Sequence, residues 1–185
     1  MRYTFRQAES EADFDSLRRL NHLIFAEELH QHAAREDRLL VDRMERRSRY
    51  WIALAGDEVV GMVSVHDEPP FSVEQRLSDP AVLAALPGRK LEVRLLAVHP
   101  QHRGGLVVAG LLGPMIAWAL TEGYELLLIS GVEERAPMYR RLGFRELGPA
   151  VPDGGAAFYP MVLRLAELPG SILISIARYQ RRGVR

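Results

Sequence analysis

The chain has 185 residues, 48% of them hydrophobic, with 24 basic side chains set against 24 acidic ones. That length and apolar content sustain one well-buried core and make a second independent domain improbable, while a zero net charge supplies no bulk basic field for nucleic acid. The absence of cysteine excludes disulfides, a thiolate nucleophile and any cysteine-based metal site. The first residues lack the apolar core of a signal peptide and no apolar run is long enough to span a bilayer, so a cytoplasmic protein without a membrane span is expected. Lys90 is the only lysine, and nearly all positive charge is arginine.

Residues 1–9 read as a first strand. Ser10 and Asp13 then give a helix-start signal. Phe14, Leu17, Asn21, Ile24, Phe25 and Leu29 recur at helical spacing, which predicts an amphipathic helix to about Gln31. His30 and His32 lie two residues apart and point to different sides of a helix, so they cannot chelate together. Glu28 and His32 read as an ordinary i,i+4 pair, and no metal is expected. The charged stretch 35–49 has a short apolar face of Leu39, Leu40, Val41 and Met44 and predicts a second, mostly solvated helix. Residues 50–55 and 59–66 flank Gly56-Asp57 as a β-hairpin. Gly61, inside the second strand, predicts a bulge or a close backbone approach.

Residues 67–90 change character, with Pro69, Pro70, Pro80 and Pro87 interrupting short helical turns over 72–77 and 80–86. A connection of that length is structured or functional; a lid over a substrate site and a plain surface excursion are both open. Residues 91–98 form an apolar strand ended by Pro100, which has no N–H for a ladder. Arg103, Gly104 and Gly105 follow, and a helix is predicted over 106–122, kinked or broken at Gly113-Pro114 and ended by Gly123. A strand, a glycine turn and a helix aim unpaired N–H groups and a positive helix end at an anion, most often a phosphate. Residues 124–130 read as a strand buried on both faces, 131–142 as a turn and short helix with Pro137 in its first turn, and 145–148 and 156–165 as the last strands. The tail 171–185 is apolar first and basic last.

The run Val98-His-Pro-Gln-His-Arg-Gly-Gly resembles the acyl-CoA pyrophosphate loop of the GNAT acetyltransferase superfamily, whose pattern is Gln or Arg, two residues, Gly, one residue, then Gly or Ala. Gln101 and Gly104 fit; Leu106 occupies the last place and departs from it. Met138-Tyr139-Arg140-Arg141-Leu142-Gly143-Phe144 is similar to the tyrosine-to-Gly-Phe signature that closes the same fold. The resemblance implies an α/β domain over 1–168, a GNAT-like central mixed sheet flanked by helices, with a basic tail over 169–185. It implies acetyl-CoA or another acyl-CoA as donor. The donor would lie along Leu96, Ala97, Val98, Gln101, His102, Arg103, Gly104, Gly105 and Leu106. Arg140 or Arg141 would be further phosphate contacts. The Asn-His-x-x-Phe-x-x-Glu run from Asn21 to Glu28 resembles the first helix of acyl-homoserine-lactone and N-acyl amino acid synthases. In the superfamily that helix walls the acceptor pocket, so Phe25 and Glu28, with Arg94 for a carboxylate, are candidate substrate contacts.

Amine acylation requires removal of a proton from the amine, stabilisation of the thioester oxygen and protonation of the leaving sulfur. Glu92 is the candidate base, placed where related branches carry a carboxylate on this strand; an ion pair with Arg94 or a purely orienting role is the alternative. Strand period puts Glu92, Arg94, Leu96 and Val98 on one face. Tyr139 matches the residue that serves the leaving thiolate in many relatives; a core aromatic is its alternative. Relatives often carry asparagine and alanine where this chain has Val132 and Arg135. Leu106 can still donate its N–H, but its side chain crowds space usually left open, which admits a shifted loop or a carrier-protein thioester. The expected activity is N-acyl transfer from acyl-CoA to a small-molecule amine. The alternatives are an acyl-carrier-protein-dependent N-acyl amino acid synthase and a non-catalytic acyl-CoA-binding module, and a homodimer is left open.

Overall fold

The computed structural model describes residues 2–170, 172–174 and 177; most of the expected basic tail lies outside them. Contacts cluster into two compact units, one of residues 2–66 and 95–115, the other of 67–94 and 116–170 with the described tail residues. The strands are β1 (Tyr3–Gln7), β2 (Arg49–Ala55), β3 (Glu58–His66), β4 (Lys90–Val98), β5 (Leu126–Val132), β6 (Arg145–Glu146), β7 (Val151–Asp153) and β8 (Ala156–Arg164). They follow the order β1-β2-β3-β4-β5-β8-β6, with β7 on β8. The β4–β5 pairing is parallel and the β5–β8 pairing antiparallel, which makes the sheet mixed as expected.

In the first unit, β1, β2 and β3 form an antiparallel meander. The hairpin carries a bulge where Ala53 pairs Gly61 and Leu54 pairs Val59. A Cβ on Gly61 would stand 3.0 Å from Val107 and 3.2 Å from Leu111, so both expectations for this glycine, bulge and close approach, are met. Helix α1 (Glu11–His22) opens on a capping box in which Ser10 accepts from the Asp13 N–H and Asp13 accepts from the Ser10 N–H. Arg6 donates two bonds to Asp13, at 2.7 and 2.8 Å, and that pairing holds the Asp13 carboxyl far below the usual carboxylate range. Leu17 and Leu20 bury the inner face against Tyr50, Ile52 and Met62.

Two expectations fail here. The first helix leaves α geometry at His22 and continues as a π-helical turn, Leu23–Glu28, with the Leu29 N–H reaching back to the Ile24 carbonyl. The wider turn takes up an extra residue, so Leu29 leaves the apolar stripe and is 47% exposed. The predicted second helix over 35–49 is absent apart from a 3₁₀ turn at Glu45–Arg47. Side chains satisfy its backbone instead: the Arg35 N–H goes to His22 Nε2 and the Leu39 N–H to Asp37, while Arg38 takes a φ of 52°. Such local bonds compete directly with a helical ladder.

The second unit holds residues 67–90 as a packed layer. Phe71, Val73 and Leu83 are buried against Leu126, Leu128 and Val162 of β5 and β8, which removes the plain surface excursion. Its helical content is smaller than predicted, a 3₁₀ turn at Glu74–Arg76 and the four-residue α2 (Ala81–Ala84). Lys90 Nζ donates to the carbonyls of Leu86 and Gly88, at 2.6 and 3.4 Å. Tyr124 donates to Asp67 at 2.7 Å under the guanidinium of Arg89; burial, then the Asp67 bond, pushes its phenol up to about 12.

Helix α3 (Gly105–Thr121) continues through Pro114, so the helix is not broken there. Pro114 gives up only the bond to the Gly110 carbonyl, and burial of Val107, Leu111, Met115, Ile116 and Ala119 outweighs that loss. Gly110 fits its place closely, because a Cβ there would overlap the outer edge of the Phe5 ring. Helix α4 (Ala136–Arg141) carries its proline in the first turn, as predicted. No described helix is long and apolar enough to cross a membrane.

Candidate active site

Strand β4 pairs with β5 only through Lys90–Leu126, Leu91–Leu127 and Glu92–Leu128, and Leu96, Ala97 and Val98 lie beyond the end of that ladder. Leu95 takes a φ of 50°, a conformation that costs a non-glycine residue about 1 kcal/mol or more. A left-handed residue inside a strand breaks the pleat, so the single face expected for Glu92, Arg94, Leu96 and Val98 does not extend past Leu95. Strain of this kind persists only where neighbours over-determine it, and it marks the centre of the strand as specialised.

In the first unit, a 3₁₀ turn at Pro100–His102 leads into Gly104, Gly105 and α3. The first turn of α3 offers N–H groups with no intrahelical acceptor. A Cβ on Gly104 or Gly105 would meet nothing within 4 Å, and both glycines are exposed. The Leu106 side chain is 68% exposed and fills no core position. Gln101 is exposed, with its N–H on His99 Nδ1. His102 is tied to Tyr3, its Nδ1 3.2 Å from the phenol oxygen. Arg103 bonds the Val98 carbonyl and makes an ion pair with Glu28. One candidate donor residue and one candidate acceptor residue are thereby joined directly.

Phe25 packs against the core formed by α1 and the meander. In the same unit Leu17, Asn21, Asp42, Tyr50 and Leu95 line a small cavity of about 10 Å³, room for a single water-sized group. Asn21 Nδ2 donates to the Leu40 carbonyl and Tyr50 donates to Asp42. The Asn21 Oδ1 is buried without a partner among the described residues. The cavity therefore favours a hydrogen-bond donor. Its polar lining escaped sequence reasoning because Asp42 lies in the stretch taken for a surface helix.

In the second unit, Glu92 is 0% exposed. Its carboxylate accepts the Ser72 N–H at 2.9 Å, the Ser72 hydroxyl at 2.8 Å and the Val73 N–H at 3.0 Å. The Ser72 hydroxyl oxygen is also 3.0 Å from that of Ser130. Three donors stabilise the anion and join β4 to the packed 67–90 layer. Sequence reasoning missed both serines, which carry no motif. Arg94, half-buried on the same strand, also has an interaction partner.

Tyr139 lies on α4, with its ring against Gly131 of β5, where an added Cβ would fall 2.8 Å from the ring. The Phe144 ring stands edge-on to it at 6.3 Å. The hydroxyl has no hydrogen-bond partner among the described residues. Burial raises the phenol above its ordinary value, with Arg135 opposing, so it stays protonated near neutrality and able to donate. Arg140 pairs with Glu146 at 2.7 Å, and Arg141 donates to the Pro137 carbonyl.

The acetyltransferase (GNAT) family model matches residues 14–144. N-acetyltransferase 8 of Mus musculus is 29% identical over 113 residues, which is 58% of this chain and 43% of that protein. The Rattus norvegicus protein of the same name is 28% identical over 116 residues, 59% of this chain and 45% of that one. The chain thus spans less than half the length of these curated relatives. Among solved structures, the CoA-dependent acyl-homoserine lactone synthase BjaI superposes with a TM-score of 0.77 at 20% identity, covering 96% of this chain and 90% of its own. FeeM, an N-acyl amino acid synthase from uncultured soil microbes, gives 0.74 at 18% identity, covering 90% and 94%. At those identities the structural likeness shows the fold.

Proposed function

The chain belongs to the acetyltransferase (GNAT) family, and from that premise we propose that it is an N-acyltransferase moving an acyl group from acyl-CoA to the amine of a small molecule. The observation that carries this reading is the exposed loop at Gly104 and Gly105, which leads a strand into the free amides of a 17-residue helix. Those amides and Arg103 would hold the donor's phosphates, and Leu96, Ala97 and Val98 would lie along its pantetheine arm. Glu92 is the proposed base, Tyr139 the proposed donor to the leaving sulfur, and Phe25, Glu28 and Arg94 the proposed acceptor contacts. That BjaI is an acyl-homoserine lactone synthase and FeeM an N-acyl amino acid synthase supports an amine acceptor that is a small metabolite.

The donor site is tested by melting. Acetyl-CoA at a hundredfold excess over its Kd should raise Tm by roughly 5–10 °C. Gly104→Val should abolish that rise. Because the φ of Gly104, 157°, suits a β-branched residue poorly, Gly105→Val is the companion variant and should also lose it with little change in the unliganded Tm. A curve unmoved by acetyl-CoA and raised by an acylated carrier protein would replace CoA as donor. A rise with acetyl-CoA but no transfer to any amine would make the protein a binding module.

Tyr139→Phe separates an enzyme from a binder. The ring keeps its packing on Gly131 and Phe144, so Tm and the acetyl-CoA response should be unchanged. The bond to the developing thiolate is lost, and kcat should fall about tenfold or more while KM changes little. Full activity in this variant would remove Tyr139 from the reaction.

A further inference from the structure

Building on the reading of Glu92 as the base, we propose that it does not meet the acceptor amine directly, and that Ser130 and Ser72 carry the proton to it. Glu92 is completely buried, so a substrate cannot touch its carboxylate without unpacking the 67–90 layer. Ser72 and Ser130 are only half-buried. Their oxygens form a continuous chain to the carboxylate, 3.0 Å from Ser130 to Ser72 and 2.8 Å from Ser72 to Glu92 Oε1.

The chemistry of the far end fixes the direction of this chain. An ionised carboxylate only accepts hydrogen bonds, and a hydroxyl has one hydrogen to give. The Ser72 hydrogen is therefore committed to Glu92, and the Ser130 hydrogen to Ser72. That leaves the half-buried Ser130 oxygen with lone pairs not used within this chain, the polarity needed to accept an N–H. Two backbone N–H groups, of Ser72 and Val73, hold the carboxylate in register with the chain.

The transfer balances without any other reactant. As the acceptor nitrogen attacks the thioester carbon, its N–H proton passes to the Ser130 oxygen. The Ser130 proton passes to Ser72 and the Ser72 proton to Glu92 Oε1, leaving both serines neutral and Glu92 protonated. The electron pair of the N–H bond stays on nitrogen, and the carbon–sulfur pair leaves with CoA. Ser130 is thus a catalytic residue, and Ser72 both relays the proton and positions the base.

The test compares Ser130→Thr with Ser130→Val, which have nearly the same shape and differ in the hydroxyl. The threonine variant should keep kcat within a few-fold of the wild type. The valine variant should lose on the order of a hundredfold in kcat with the donor KM unchanged. In mixtures of H₂O and D₂O the wild-type rate should bow below a straight line, as several protons move together, and the valine variant should give a straight line. Equal kcat in the two variants, or a straight wild-type line, overturns the relay. A wild type that transfers from no acyl-CoA to any amine sinks the activity reading instead, and an activity-independent measurement still judges the chain. In ¹³C NMR of the Glu92 carboxylate, Ser72→Ala removes a donor to the anion and should raise its titration midpoint. An unmoved midpoint shows that the hydroxyl does not bond the carboxylate, and overturns the proposal.

Discussion

Gly110→Ala is expected to destabilise the fold by about 3 kcal/mol, a drop in Tm of roughly 6–12 °C at this chain length. The added methyl would overlap three carbons of the Phe5 ring. The helix backbone cannot retreat cheaply, since moving off the sheet would open the close packing of Val107 and Leu111 over Gly61 of β3. Removing the ring should relieve the collision, so Phe5→Ala combined with Gly110→Ala should lose much less than the sum of the two single variants. Additive losses in that cycle, or a Gly110→Ala variant that melts with the wild type, would show that helix and strand separate more easily than their packing implies.

The second large effect is on turnover. Glu92→Gln should lower kcat on the order of a hundredfold and leave the acetyl-CoA affinity nearly intact. It should also cost about 1–3 kcal/mol of stability. A carboxamide turns an NH₂ group toward donors that a carboxylate had satisfied, the N–H groups of Ser72 and Val73 and the Ser72 hydroxyl. The two losses can be read separately, by steady-state kinetics at a temperature where both proteins are folded and by denaturant melts. A variant that loses stability and keeps its turnover would make Glu92 the anchor of the 67–90 layer and nothing more.

Local pattern was legible where chemistry and period agreed. The β2–β3 hairpin, the glycine loop before α3 and the proline start of α4 all follow from residues that leave the backbone few options. Gly61 announced a close approach that the structure contains. Where two answers share one pattern, the sequence misled. Apolar spacing over Leu17, Asn21 and Ile24 is the same for a helix that stays α and for one that widens at Leu23, and only the exposure of Leu29 tells them apart. The stretch 35–49 has helical composition, but Asp37 and His22 offer its backbone better local partners. Residues 67–90 looked like an interrupted surface segment because Phe71, Val73 and Leu83 follow no period; their burial comes from strands far along the chain.

The candidate site was legible in its motif and not in its wiring. Gln101, Gly104, Tyr139 and Glu92 were marked by the resemblance of their surroundings to the motifs of the GNAT superfamily. The partners of Glu92 were not, because serines at positions 72 and 130 have no spacing that distinguishes them from others on a surface. Pairing across such distances is decided by the register of β4 against β5, which no local pattern encodes.

The ε-amine of Lys90, held by the carbonyls of Leu86 and Gly88, bears on how such a protein can be assayed. Thioesters acylate unhindered lysines slowly without any catalyst, and a lysine-rich acyltransferase labels itself while it works. In this chain a single lysine exists, and its nitrogen is engaged. Intact-mass measurement after incubation with a reactive acyl-CoA therefore has almost no background of its own making. Any added acyl mass would trace to Lys90, the α-amino group or a hydroxyl or imidazole side chain, possibilities that one peptide map resolves.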